Sequence, residues 1–197
     1  MDVRLTRPIT EAARNGRENQ MRRSVRTCQR IRIDSAHEGG CSSVWITASS
    51  APEVEPFPAG LHDCVSGLRW VVDNVETLHS DPAQVIVAGE SGGGNLTLAT
   101  GMMLLRDGDI GLIKGLYALC PYIAGQWPQD RFPSSIENEG YLLNLHHNRG
   151  AMAYGIEHFE DGNPLAWPSH ATEADVTGLP PTFISVNEAD PLRDEGI

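Results

Sequence analysis

An α/β fold, a mostly parallel sheet with helices on both faces, is what this sequence predicts, and three observations predict it. Residues 84–88, Gln-Val-Ile-Val-Ala, form a short apolar run between Asp81-Pro82 and Gly89, the pattern of a strand buried in a parallel sheet. Apolar residues on either side of that run recur at helical spacing. Two more short apolar runs, 115–120 and 181–186, follow at distances that leave room for crossovers. Strands alternating with helices make a parallel sheet the economical arrangement.

Taken in order, residues 1–50 show little periodicity and carry nine arginines, so they read as an Arg-rich arm of uncertain structure ahead of a domain at 51–197. Leu61, Cys64, Val65, Leu68, Val71, Val72, Val75 and Leu78 then recur at i, i+3, i+4 and i+7, one face of an amphipathic helix over 61–78. After the 84–88 strand, Leu96, Leu98, Ala99, Met102, Met103 and Leu105 predict a largely buried helix that closes at Asp107-Gly108, glycine being the residue that most easily takes the left-handed stop. Residues 125–170, rich in Trp, Pro, Asn and His, interrupt the alternation as an insertion between the second and third strands.

The chemistry concentrates at the turn between that first strand and its helix. Residues 89–93 read Gly-Glu-Ser-Gly-Gly, a G-x-S-x-G run in the strand-to-helix context of a nucleophile elbow. In an elbow the serine sits on a strained turn, and the flanking glycines are expected because a Cβ at either would strike neighbouring backbone. Ser91 is the candidate nucleophile. The backbone N–H of Gly92, directly after it, is the candidate oxyanion donor. A serine hydroxyl also needs a base and an acid to orient that base. Asp190 is the candidate acid, 99 residues after Ser91 in the run Asp190-Pro191-Leu192-Arg193-Asp194-Glu195. Asp194 and Glu195 are expected to cap or brace the helix that would follow.

Competing motif readings fail on detail. Residues 89–94 have the glycine spacing of a phosphate-binding loop, but Asn95 stands where lysine would reach the phosphates. Asn95-Leu96-Thr97 matches a glycosylation acceptor, yet lies inside a predicted buried helix. His146-His147 lacks carboxylates at ligand spacing. No metal and no cofactor is expected.

Several strings together resemble the hormone-sensitive-lipase-like branch of the α/β-hydrolases, and its brefeldin A esterase subgroup in particular. They are Pro56-Phe57-Pro58-Ala59-Gly60, GESGGGNL from Gly89, GLYALCPYIAG from Gly115, PSSIENEGYL from Pro133, and the stretch from Asn163 to Ile197. The resemblance covers about residues 55–197 and implies a partial α/β-hydrolase fold with an esterase or lipase-like activity through an acyl-enzyme on Ser91. It implies that 125–170 contributes to a cap over the site, where Trp127, Phe132, Tyr141, Leu142, Tyr154 and Trp167 either line an acyl or alcohol pocket or form cap core. It also implies a His-Gly-Gly-Gly oxyanion loop upstream. His37-Glu38-Gly39-Gly40 looks like a degraded copy, with Gly39 and Gly40 as candidate donors; it lies only 54 residues before Ser91. A chance Gly-Gly turn is the other reading. The family's histidine lies beyond the acid, and no histidine follows Asp190. His37, His62, His79, His146, His147, His158 and His170 are the imidazoles within the chain, and family topology assigns none of them the role of base.

Composition sets the outer bounds. At 197 residues the chain is short for this fold, which runs to roughly 250 residues or more, so a truncated copy is expected. Residues 1–36 carry about +5 and residues 37–197 about −16 of the formal −11. An acidic body argues against nucleic acid as a partner and fits a neutral or weakly polar substrate, which the resemblance narrows to a small hydrophobic ester. Cys28, Cys41, Cys64 and Cys120 are widely spaced, so reduced, mostly buried thiols are expected. The arginines of the N-terminus lack an apolar core behind them and no stretch reaches membrane-spanning length, so a cytoplasmic protein is expected; a homo-oligomer is open. Three functions remain: a carboxylic-ester hydrolase; a ligand-binding module that kept the pocket without turnover, as in the gibberellin receptors that resemble this branch and lack the histidine; and an inactive fragment.

Overall fold

The protein, seen in a computed structural model, is described over residues 30–35, 42–47, 56–78, 81–126, 128–141, 143–144 and 148–197. Strands β1 (Arg30–Ser35) and β2 (Ser42–Thr47) pair antiparallel, Arg30 opposite Thr47 and Ser35 opposite Ser42. The predicted parallel sheet forms from β3 (Ile86–Glu90), β4 (Gly115–Leu119) and β5 (Thr182–Ser185), in that spatial order. Its register sets Glu90 beside Leu119 and Leu119 beside Ser185, so all three strands end at one edge.

The first strand starts two residues later than its apolar run. Pro82–Gln84 form a 3₁₀ turn, and the Asp81 side chain accepts from Ala83 N at 2.8 Å, so a local capping bond overrides the strand propensity at Gln84. Nor is β3 buried throughout: Ile86 is 56% exposed and Glu90 is exposed, while Val87 packs on the core. Alternate residues of a strand face opposite sides, and the helices that bury Val87 lie on one side.

Those helices are α1 (Ala59–Asp73) and α2 (Gly92–Asp107). Leu61, Cys64, Val65 and Leu68 of α1 meet Leu96, Ala99 and Leu104 of α2 over Ile113 and Leu116 in one buried cluster. The periodic face predicted to reach Leu78 is helical only to Asp73. Asn74 ends the helix: its amide donates to Trp70 O at 2.8 Å and its N–H to Val71 O, and 74–78 form turns. The second helix closes where predicted, at Gly108 with φ 79°. Leu116 and Ala118 point to these helices, whereas Tyr117 and Phe183 face the opposite side and are 40% and 71% exposed.

Between β4 and β5 the described backbone forms only short helices, α3 (Ser134–Glu137), α4 (Asn148–Gly155), α5 (Glu157–Glu160) and α6 (Glu173–Val176). Trp167, Ala151 and Ala166 are buried there with Phe57, Tyr122, Tyr154 and Phe159 packed against them. Trp167 is buried and donates its indole N–H to Gly155 O at 3.1 Å. Tyr154 meets it edge-on at 5.4 Å. Trp167 and Tyr154 are therefore core of this region, Phe132 lies under the Arg131 guanidinium at 4.5 Å, and Tyr141 is 76% exposed. Trp127 and Leu142 lie outside the described residues.

Candidate active site

Ser91 stands between β3 and α2 with φ 57° and ψ −120°, a region that costs an L-residue about 1–3 kcal/mol and persists only where its surroundings over-determine it. Here three main-chain bonds do so. Ser91 N donates to Leu119 O at 2.9 Å, and Ser91 O accepts from Asn95 N at 3.1 Å and Tyr122 N at 3.0 Å. The serine is thus tied to the end of β4, to the segment after it and to its own helix.

The glycines set how closely that helix sits on the sheet. A Cβ on Gly89 would lie 2.2 Å from Gly93 O, and one on Gly94 would lie 2.9 Å from Pro121 Cα. Among the described residues a Cβ at Gly93 would meet nothing within 4 Å, which corrects the expectation that both flanking glycines avoid a clash of their own. Gly93 contributes the backbone that Gly89 must approach; its own side is open. Asn95 N to Ser91 O is the first bond of the helix, so the N–H groups of Gly92, Gly93 and Gly94 have no intrahelical acceptor and lie at the positive end of the helix dipole.

Asn95 anchors the same turn. It is 3% exposed, and its amide donates to Tyr122 O and Ala166 O, both at 2.9 Å. A side chain so held is not presented for glycosylation.

Asp190 follows β5 by five residues and is 5% exposed. Its Oδ1 accepts from Leu192 N at 2.9 Å, and its carbonyl from Arg193 N at 3.1 Å and Asn138 Nδ2 at 3.2 Å. The loop that carries it is clamped to α3 by side chains. Ser134, fully buried, donates its N–H to Asp194 Oδ2 at 2.7 Å, accepts Asp194 N on Oγ at 3.0 Å, and donates that hydroxyl to Pro191 O at 3.0 Å. Arg193 reaches Asp194, Glu188 and Glu137. Its guanidinium, with the Ser134 N–H, holds the Asp194 carboxyl below its ordinary range.

Glu195 accepts from the N–H groups of Ile123, at 3.1 Å, and Ala124. Burial pushes its carboxyl up to about 8, with the two N–H groups pulling the other way and the Asp190 charge adding to the rise. Asp194 and Glu195 therefore brace α3 and the segment after β4. Ser134, Asn138 and Glu195 carry no spacing signal that would have assigned them these roles.

Of the histidines, His62 is exposed, His158 packs on Phe57 at 4.8 Å, and His170 packs on Phe159 at 4.8 Å. Burial lowers the His170 pKa, with Arg131 adding to the effect, and its buried Nε2 has no hydrogen-bond partner. His37, His79, His146 and His147, and with them Gly39 and Gly40, lie outside the described residues. Cys64 and Cys120 are buried thiols. Among the described residues no group of three or more His, Cys, Asp or Glu side chains could hold a metal, and no helix is long and apolar enough to cross a membrane.

A cavity of about 390 Å³ opens beside α2, lined by Leu98, Met102, Ile123, Leu179 and Ile184 among others. Of the side chains considered for an ester pocket, none of the described ones, Phe132, Tyr141, Tyr154 and Trp167, lines it.

A strained serine at the end of a parallel strand, seated on a glycine-packed helix start, is how α/β-hydrolases present a nucleophile. The family described as the alpha/beta hydrolase fold matches residues 21–197, and the chain belongs to it. It is 32% identical over 169 residues to carboxylesterase NlhH of Mycobacterium tuberculosis, an alignment covering 83% of this chain and 51% of that protein. Among solved structures it is similar to esterase Est22, at 64% identity and a TM-score of 0.70 over 76% of this chain and 44% of that one. Brefeldin A esterase, described as a bacterial homologue of human hormone-sensitive lipase, matches at 41% identity and a TM-score of 0.67 over 72% and 41%. The chain spans about half the length of the curated relatives it matches.

Proposed function

We propose that this chain carries the nucleophile and acid of a carboxylic-ester hydrolase that works through an acyl-enzyme on Ser91. The observation that carries the reading is the backbone of Ser91, held at φ 57° by three main-chain bonds directly after a parallel strand. Ser91 Oγ attacks the ester carbonyl, the alcohol leaves with the proton that a base has taken from the serine, and water releases the acid in a second step. Gly92 N–H meets the developing oxyanion at the helix start. Gly39 and Gly40 remain candidates for further donors. Asp190 is the orienting acid. Its loop leaves β5 at the sheet edge where Ser91 leaves β3, with β4 between the two strands; strands two places apart are about 10 Å distant, a gap that one imidazole spans. Residues 125–170 act as the cap, over a small hydrophobic ester.

The test is hydrolysis of p-nitrophenyl butyrate beside Ser91→Ala. Est22 has been solved with p-nitrophenol, the leaving group of such esters. Enzyme concentration is set to detect turnover about six orders below that of a complete triad. Hydrolysis that disappears in Ser91→Ala is expected; equal rates would overturn the reading.

One observation favours binding without turnover: His158 and His170 make their ring contacts with Phe57 and Phe159, away from Asp190. On that reading a small hydrophobic ester raises the melting temperature and is recovered unchanged.

A further inference from the structure

Glycines let α2 approach the sheet, but a glycine has no side chain with which to hold it there. Where the first turn of α2 comes nearest, a Cβ on Gly94 would lie 2.9 Å from Pro121 Cα. The next residue, Asn95, is 3% exposed and bridges that contact. Its Nδ2 donates to Tyr122 O and to Ala166 O, each at 2.9 Å. Both donors of the amide are thus taken by main-chain carbonyls. One carbonyl lies just after β4; the other, 71 residues along the chain from Asn95, belongs to the 125–170 insertion.

The first of these bonds closes a ring around the serine. Ser91 O accepts from Asn95 N at 3.1 Å and from Tyr122 N at 3.0 Å, and Tyr122 O accepts the Asn95 amide. The groups that touch Ser91 are main chain, and the Asn95 side chain holds together the two segments that carry them. The second bond ends in packed core. Ala166 is fully buried beside Trp167, and the N–H groups of both donate to Asn163 O, at 3.2 and 2.9 Å.

For stability alone the side chain is a poor choice. Its Oδ1 is buried and, among the described residues, has no hydrogen-bond partner, and an unsatisfied buried acceptor carries a desolvation cost. Turning the amide over would set that oxygen against two carbonyls. A leucine of similar size would remove the cost, and with it both donations.

We propose that Asn95 is a positioning residue for Ser91: its amide ties the start of α2 to the segment after β4 and to the insertion, and so fixes the serine backbone against both. The inference rests on the esterase reading, since the exact seat of the serine matters to turnover. The apolar cluster between α1 and α2 includes none of Asn95, Tyr122 and Ala166.

Two measurements on the full chain test it. Both use Asn95→Leu, and Asn95→Asp, which has the same shape and at most one donor, where the leucine variant does not fold. The first is amide hydrogen exchange followed by NMR. The Tyr122 N–H, which donates to Ser91 O, speeds up roughly tenfold more than the N–H groups of Leu68 and Leu104 in the buried cluster, the scale of one lost hydrogen bond in a local opening. The second is steady-state hydrolysis of p-nitrophenyl butyrate. The variant lowers kcat roughly ten- to a hundred-fold, the scale of a small misplacement in a catalytic constellation, with KM unchanged.

Equal acceleration at Tyr122, Leu68 and Leu104 overturns the inference whether or not the chain turns over substrate, because Asn95 would then support the fold as a whole. A chain that folds with neither replacement overturns it for the same reason. So does a variant with wild-type kcat, or one whose loss lies entirely in KM. Equal hydrolysis by wild type and Ser91→Ala is a different failure: it removes the esterase reading, while the exchange rates still report whether Asn95 holds the turn.

Discussion

Ser91 and Asp190 are held by opposite means. Around the serine the fixing groups are main chain: carbonyls and N–H groups of Leu119, Tyr122 and Asn95, and glycines that let α2 approach the sheet. Around the aspartate they are largely side chains: Asp194 and Arg193 of its own loop, and Ser134 and Asn138 from more than 50 residues earlier in the chain. The elbow is a steric device that tolerates no added atom at its contact points. The acid loop is a polar device, sensitive to lost hydrogen bonds and to pH.

The largest effect should come from adding one carbon to the steric device. Gly89→Ala places a Cβ 2.2 Å from Gly93 O and 2.8 Å from Thr97 Oγ1. The first obstacle is backbone and cannot rotate away, so we expect a loss of about 3 kcal/mol or more, at the upper end of overpacking costs. Urea unfolding gives the number. A change under 1 kcal/mol would mean that helix and sheet part easily here, and the contrast between the two regions would fail.

Much of the elbow was legible because its requirements are local. G-x-S-x-G, a β-branched run before it and a helical run after it are sequence neighbours, and the alternation of strands and helices pointed to a parallel sheet. Even so, the role of Gly93 was misread, since spacing shows which residues are glycine but not which of them faces an obstacle. The proposed acid, Asp190, was legible through resemblance, but only as the residue itself. Its supports were not, because Ser134 and Asp194 are 60 residues apart and their reciprocal bonds leave no periodic trace. Glu195 was visible as a residue type, and it could not be assigned a partner before the fold brought the end of β4 against the last loop.

The next effect belongs to the polar device and depends on pH. Glu195 has a folded pKa of about 8 against an ordinary 4.5. Below 4.5 both folded and unfolded chains hold the proton and nothing is lost. Between 4.5 and about 8 the unfolded chain releases it while the folded chain keeps it, so stability falls as pH rises through that window and levels off above it. Glu195→Gln imitates the protonated acid and keeps an oxygen for the Ile123 and Ala124 N–H groups. It should flatten this part of the profile; a slope between pH 5 and 8 identical to wild type would show that Glu195 is not its source.

Ser134→Ala tests the same loop away from any charge change in the core. It removes a buried hydroxyl that accepts Asp194 N and donates to Pro191 O, leaving both without that partner, and should cost about 1–3 kcal/mol in urea unfolding. The melting transition stays cooperative, because the α1–α2 core does not use this contact.

Gly93→Ala should have the smallest effect, and it sharpens the contrast most directly. It adds the same carbon as Gly89→Ala, four residues along, in the same motif. Nothing lies within 4 Å of the new Cβ, and alanine is the better helix former by about 1 kcal/mol in a helix interior, less in a first turn. A stability within about 0.5 kcal/mol of wild type, or slightly above it, is expected. A loss matching that of Gly89→Ala would show that the crevice over the helix start is filled, and that the elbow is closed on the side where the proposed nucleophile Ser91 would meet an ester.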